Sequence, residues 1–271
     1  MSLPELWGVA VEVRLLGSVT ARFGGSEAVL RSGRVRGLLA VLAWEPNQII
    51  PDAALIDRIW DESLPRHPQA ALYTLAARLR AAFAEASGDA AERERVIRRC
   101  GGYVLVAAPE DIDVHRFRSA VAQARENVWN GADAMAVRLL DSAIGMWRGA
   151  QLTGITGAWA DRVRMTLDQE RLAAVLACAE ARLRLGRHAE TVPLLAGLAD
   201  EHPLDEQIAG LLMVALYRCG RQAEALARYT TVRTRLVGAL GVEPGASINE
   251  LHRRILHGDL SPIASRIAGI D

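Results

Sequence analysis

Two stretches of the chain repeat one phrase: Gly186-Arg187-His188-Ala189-Glu190 returns as Gly220-Arg221-Gln222-Ala223-Glu224. The two glycines stand 34 residues apart, the period of a tetratricopeptide-like helical hairpin. That period constrains the second half more than any other feature, because a unit of this length is two helices and a turn that bury an apolar face only when stacked on a neighbour. Gly186 and Gly220 are expected to end the first helix of each pair. Arg-x-Ala-Glu opens the second, small Ala189 and Ala223 let the helices approach, and His202-Pro203 marks a boundary between units. The Asn130-Gly131 turn reads as an earlier, degenerate unit. From Asp113 onward every segment has helical apolar spacing and most end at Gly or Pro, so an all-α tetratricopeptide-like domain is predicted over 113–257, followed by a tail, 258–271.

The first half follows another rule. Val11, Val13 and Leu15 alternate with Glu12 and Arg14, and "GSVTARFGGSEAVL" adds β-rich runs around Gly24-Gly25, which predicts a small antiparallel meander. Three helical segments follow, "RVRGLLAVLAWEPN", "DAALIDRIW" and "HPQAALYTLAARLRAAFAEA". Then "RVIRRCGGYVLVA" reads as two strands joined at Gly101-Gly102. Sheet, three helices and hairpin are the layout of a winged helix-turn-helix over 11–107. The fold class expected is therefore an α+β winged helix-turn-helix followed by an all-α tetratricopeptide-like domain.

On a helical wheel Leu72, Leu75, Ala76, Leu79 and Phe83 share the core face of the third helix. Ala70, Thr74, Ala77 and Ala81 centre the opposite face, flanked by Arg66, Tyr73, Arg78 and Arg80. Residues 66–83 carry Arg66, Arg78 and Arg80 and no acid, which suits an element beside phosphates; an amphipathic helix with solvated arginines would carry the same charges. Arg98 and Arg99 open the expected hairpin. Arg93 and Arg95, interleaved with Glu92 and Glu94, read as a solvated turn.

Composition narrows the chemistry. The 32 cationic residues equal the 32 acidic ones, so any basic site must be local. All 32 are arginine, and without lysine neither a Walker A phosphate loop nor Schiff-base catalysis is available. Cys100, Cys178 and Cys219 lack metal-ligand spacing and suit buried thiols in a reducing cytoplasm. "MSLPELWGVAVEVRLLG" has no basic start ahead of an apolar run, so neither a signal peptide nor a membrane span is expected. His188, His202, His252 and His257 lack a ligand or catalytic arrangement, and no enzyme, metal or cofactor is expected.

In order along the chain, "ALIDRIW", "ARLRAAF", "GGYVL", "DVHRF", "MWRG", "LGRHAETVPLL", "EHPLDE", "ALYRCGRQAEAL", "LGVEPG" and "LHRRIL" resemble the Streptomyces antibiotic regulatory proteins. The resemblance runs from about Val11 to Asp259. It implies an OmpR-like winged helix followed by a bacterial transcriptional activation domain. It also implies binding, as a dimer, to direct repeats near the −35 region of double-stranded promoter DNA, and recruitment of RNA polymerase including its sigma factor. Larger members continue into an ATPase and sensor repeats, so this chain is expected to be a small member or the front of a longer one. The DNA contacts expected are Arg66, Tyr73, Thr74, Arg78, Arg80, Arg98 and Arg99. The loop "DESLPR" is expected to face polymerase through Asp61 and Glu62, which DNA phosphates would repel. The third helix departs from the family pattern: Ala71, Leu72, Tyr73 and Ala77 stand where a more polar run is usual. A protein-interaction scaffold that has lost DNA binding is therefore the competing reading.

Overall fold

The computed structural model describes residues 11–259. The first ten residues of the segment tested for a signal peptide, and all but the first two of the tail, lie outside them. Compactness divides the chain into two units, one of residues 11–123 with 141–172, the other of 124–140 with the residues from 173 onward.

The first unit begins with an antiparallel sheet of β1 (Val11–Arg14), β2 (Thr20–Phe23) and β3 (Ser26–Glu27), with Val13 opposite Ala21. The alternation predicted is observed: Val11, Val13 and Leu15 are buried, while Glu12 and Arg14 pair on the outer side at 2.8 Å. Helix α1 (Gly33–Trp44) is capped by the Ser32 side chain, which accepts from the Val35 amide. It is buried along nearly its whole length, from Gly37 to Ala43, as a central helix must be.

A strand too short for periodicity to reveal, β4 (Ile50–Pro51), leads into α2 (Asp52–Trp60). Helix α3 (Pro68–Ser87) starts on Pro68 at its first turn, where the missing N–H costs nothing, and stops at Gly88 in the left-handed conformation. Its core stripe of Leu72, Leu75, Ala76, Leu79 and Phe83 is buried as the wheel predicts, and Phe83 meets Phe23 of β2 edge-on at 5.0 Å. Each large side chain in that stripe contributes about 1.5–3 kcal/mol of transfer free energy.

Residues β5 (Val96–Arg99) and β6 (Gly102–Leu105) form the expected hairpin, with β4 pairing on the other edge of β6. Two residues with positive φ, Cys100 (46°) and Gly101 (72°), make its turn, the pairing favoured when two strands with right-handed twist are joined tightly.

The run between α3 and the hairpin corrects an expectation. Glu92 and Arg95 do not belong to a solvated turn: both are buried, and they form an ion pair within the short 3-10 helix Ala90–Arg95. Interleaved charge resembles a surface pattern, and only the fold reveals that one acid and one base of the run turn inward together. Arg93 and Glu94 remain exposed. The expectation of buried thiols is corrected likewise, since Cys178 is buried, Cys219 is half-buried and Cys100 lies exposed in the hairpin turn.

The sequence pattern places a boundary between residues 107 and 113, yet the first unit continues past it. The Asp113 carboxylate, fully buried, accepts from the amides of Leu15 (2.7 Å) and Leu16 (3.2 Å) and pairs with Arg148 (2.8 Å). The backbone after Trp147 lies along the same stretch: the amides of Arg148, Leu152 and Thr153 donate to the carbonyls of Leu16, Leu15 and Gly17. "DVHRF" and "MWRG" meet again where Phe117 packs edge-on to Trp147 at 5.6 Å.

Helices α4 (Asp113–Trp129), α5 (Asp133–Ile144) and α6 (Ala158–Arg184) have residues in both units. The second unit adds α7 (His188–Glu201), α8 (Glu206–Arg218), α9 (Gln222–Leu240) and α10 (Ala246–Leu256). Its core includes Leu195, Ile208, Leu212, Leu216, Val232, Leu236, Leu251 and Ile255. Asp205 caps α8 by accepting from the Gln207 and Ile208 amides, and Glu206 accepts from the Gly245 amide that begins α10.

The repeated phrase acquires a physical meaning here. Gly186 and Gly220 sit at φ 77° and 76°, and each closes a helix with the same pair of bonds: Gly186 to Leu183 and Arg187 to Arg182, then Gly220 to Tyr217 and Arg221 to Leu216. Gly131 and Ala132 close α4 in the same way on Val128 and Asn127, so the degenerate unit shares the device. The small residues expected at the contact are corrected by two positions. Ala189 and Ala223 are exposed, whereas Ala136, Thr191 and Ala225, each five residues after its glycine, are fully buried.

Candidate nucleic-acid interface

One face of α3 is open to solvent: Gln69, Ala70, Tyr73, Thr74, Ala77, Arg78 and Ala81 are exposed, and the one acid of the helix, Glu85, lies near its end. The core stripe takes the leucines and Phe83, and none of these seven exposed residues is acidic. Tyr73 keeps 59% of its surface. The Thr74 hydroxyl donates to the Ala70 carbonyl at 2.9 Å, which fixes its rotamer against the helix. Arg66 and Arg78 are exposed, and neither has an ion-pair partner among the described residues.

The structure places the remaining arginines differently. Arg80 turns toward the hairpin, where its Nε donates to the Val96 carbonyl at 2.7 Å and its guanidinium lies 5.7 Å from the Tyr103 ring centre. Arg98 is exposed yet engaged, donating to Asp52 (2.8 Å) and to the Tyr103 hydroxyl (2.9 Å). The Tyr103 hydroxyl and nearby Asp52 together hold its guanidinium above the usual arginine range. Arg99 is exposed at the turn, with no ion pair among the described residues. Arg66, Tyr73, Thr74 and Arg78 thus belong to α3 and its entry, Arg98 and Arg99 to the hairpin, and Arg80 bridges the two.

Asp61 and Glu62 lie where α2 ends. Both are exposed, but the Asp61 carboxylate accepts from the Ala158 amide at 3.1 Å and so caps the start of α6. No local sequence signal links residues 61 and 158, so this contact was not legible beforehand. Glu62 has no ion-pair partner among the described residues. Behind the loop lies a cleft of about 810 Å³ between the start of α1, the end of α2, the outer turns of α3 and residues Gly154–Gly157. Arg34 lines it with its guanidinium 5.8 Å from the Trp60 ring centre, as do Thr74 and Arg78.

Among the described residues no group of three His, Cys, Asp or Glu side chains could hold a metal ion, and no helix is long and apolar enough to cross a membrane. His252 stacks on Tyr229 at 3.8 Å, where burial lowers its pKa.

The bacterial transcriptional activator domain matches residues 112–256. Regulatory protein DnrI of Streptomyces peucetius is 30% identical over 92% of this chain and 93% of its own length. Regulatory protein AfsR of Streptomyces griseus is 34% identical over 92% of this chain; the chain spans 25% of AfsR. The solved structure of Mycobacterium tuberculosis EmbR in complex with a low-affinity phosphopeptide superposes with a TM-score of 0.86 at 27% identity, covering 94% of this chain and 67% of that one. Matched by this domain over more than half its length, and related to DnrI along nearly the whole of both chains, the chain belongs to the Streptomyces antibiotic regulatory protein family of transcriptional regulators.

Proposed function

We propose that the chain is a sequence-specific DNA-binding activator of transcription that works in the cytoplasm at the promoters of a secondary-metabolite gene cluster. Residues 11–107 act as an OmpR-like winged helix: α3 is the recognition helix and the β5–β6 hairpin the wing. Residues 113–257, the tetratricopeptide-like helices, brace a neighbouring copy on DNA or RNA polymerase. The observation that carries this reading is the open face of α3, free of acid and flanked by Arg66 and Arg78, on the same unit as a hairpin bearing Arg98 and Arg99. An arginine-edged helix face of this kind suits a major groove, with arginine directed at guanine and alanine methyls packing on thymine methyls.

On this reading the chain binds direct repeats near the −35 region as a dimer and recruits polymerase with its sigma factor, with Glu62 facing polymerase. Asp61 holds the loop to α6. The scaffold reading is favoured by one observation, the exposed alanines 70, 77 and 81, which leave few polar groups to read bases. A gel shift on promoter fragments with a salt titration separates the two. Specific binding that weakens steeply as salt rises supports the activator, and the absence of any shift at low salt refutes it.

A further inference from the structure

Arg98 comes to the hairpin surface already held on two sides. Its Nη2 donates to Asp52 Oδ2 at 2.8 Å, its Nη1 donates to the Tyr103 hydroxyl at 2.9 Å, and its guanidinium carbon lies 5.1 Å from the Tyr103 ring centre. Tyr103 is fully buried, with Arg80 near its ring as well. Asp52 is fixed in turn. Its amide donates to the Gly101 carbonyl at the hairpin turn, and it directly follows β4, which pairs with β6 through Ile50 opposite Tyr103 and Pro51 opposite Gly102. That pairing is close enough that a Cβ on Gly102 would lie 2.3 Å from the Ile50 carbonyl oxygen. The second carboxylate oxygen of Asp52 is buried without a hydrogen-bond partner, so the group is directed wholly at Arg98. Among the described residues Arg66, Arg78 and Arg99 have no acid so placed.

We infer that Asp52 is a positioning residue of the wing, which holds Arg98 against Tyr103 and offsets its charge toward DNA phosphates. The inference rests on the DNA-binding reading above. A phosphate reaching Arg98 must compete with Asp52, so Arg98 supplies less than one full phosphate contact and Arg99 carries the larger share of the wing's attraction. Asp52 therefore limits affinity for all DNA alike and leaves sequence preference to α3.

The test uses the full chain and fluorescence anisotropy on two labelled duplexes, one of arbitrary sequence and one promoter fragment, each titrated with salt. The variants are Asp52→Asn, Arg98→Ala and the double mutant. Asp52→Asn is expected to tighten binding to both duplexes roughly two- to five-fold, the equilibrium weight of a partly exposed ion pair, and to steepen the log–log salt slope by a fraction of one unit. In the Arg98→Ala background the same substitution should change neither.

A structural loss would move affinity in the opposite direction. Asp52→Ser, uncharged and smaller than the residue it replaces, repeats the measurement should the asparagine variant melt early. Unchanged affinity and slope in Asp52→Asn would overturn the inference. So would an equal gain in the Arg98→Ala background, because Asp52 would then act by direct repulsion of DNA. A wild-type chain that binds neither duplex overturns the DNA-binding reading itself, and this inference with it.

Discussion

Replacing Asp113 by alanine should unfold the first unit more readily than any single change on its surface. The carboxylate is the acceptor for two buried amides, Leu15 and Leu16, and the partner of Arg148. Leaving a buried amide without an acceptor costs about 1–3 kcal/mol, so two orphaned amides cost about 2–6 kcal/mol. The Arg148 side chain keeps 38% of its surface and can be rehydrated, so its loss of partner adds little. Removing a carboxylate whose burial is itself unfavourable returns part of the cost, which leaves a net loss of about 2–4 kcal/mol. Asp113→Asn keeps one accepting oxygen and should lose about half as much.

Burial raises the Asp113 pKa above the ordinary aspartate value, against the bonds from Leu15 and Leu16 and the charge of Arg148. A raised folded-state value means that the folded chain holds this proton where the unfolded chain releases it. The stabilising contribution of this group is therefore largest below the ordinary aspartate range and is lost as pH rises through the folded value. Urea unfolding followed by tryptophan fluorescence measures both effects, since Trp44, Trp60, Trp147 and Trp159 all belong to this unit. An alanine variant within about 0.5 kcal/mol of wild type would refute the reasoning, as would a wild-type advantage over that variant that grows as pH rises through the acid range.

Arg66→Ala and Arg99→Ala should each weaken binding to every duplex similarly and flatten the salt slope by about one unit, read from anisotropy titrations; a change in operator preference would contradict a phosphate role. Arg78→Ala should cost about 1–3 kcal/mol on the operator and relax one position in a binding-site selection. Asp61→Ala should lower thermal stability by about 0.5–2 kcal/mol through the lost cap on α6, whereas Glu62→Arg should leave duplex affinity intact or slightly improved and reduce transcription in a reconstituted polymerase assay.

Much of this fold is written in local patterns. The stripe of α3, the alternation of β1 and the Gly186 and Gly220 turns are all set by residues within a few positions of one another, where periodicity and turn chemistry act. What escaped depends on partners distant in the chain. Two-residue β4 exists because Ile50 meets Tyr103, and Asp113 acts through residues almost a hundred positions earlier. Arg80 and Arg98 look alike in sequence to Arg78 and Arg99; the carbonyl, ring and carboxylate that occupy them come from other elements. The helix contact fell at Thr191 and Ala225 instead of Ala189 and Ala223 because the first exposed turn of each helix precedes its buried face.

Thr74 has committed its only hydroxyl proton to the Ala70 carbonyl. What it can offer an approaching base is therefore a pair of oxygen lone pairs and a methyl group. If α3 lies in a major groove, that oxygen can accept only from a base with an exocyclic amine, adenine or cytosine, while the methyl suits a thymine beside it. Arg78, which only donates, is confined to acceptor edges, and of these guanine alone offers two, N7 and O6, to both arms of its fork. One turn of one helix then carries a donor and an acceptor that cannot exchange roles, and the order of their two bases in the operator follows the direction in which the helix enters.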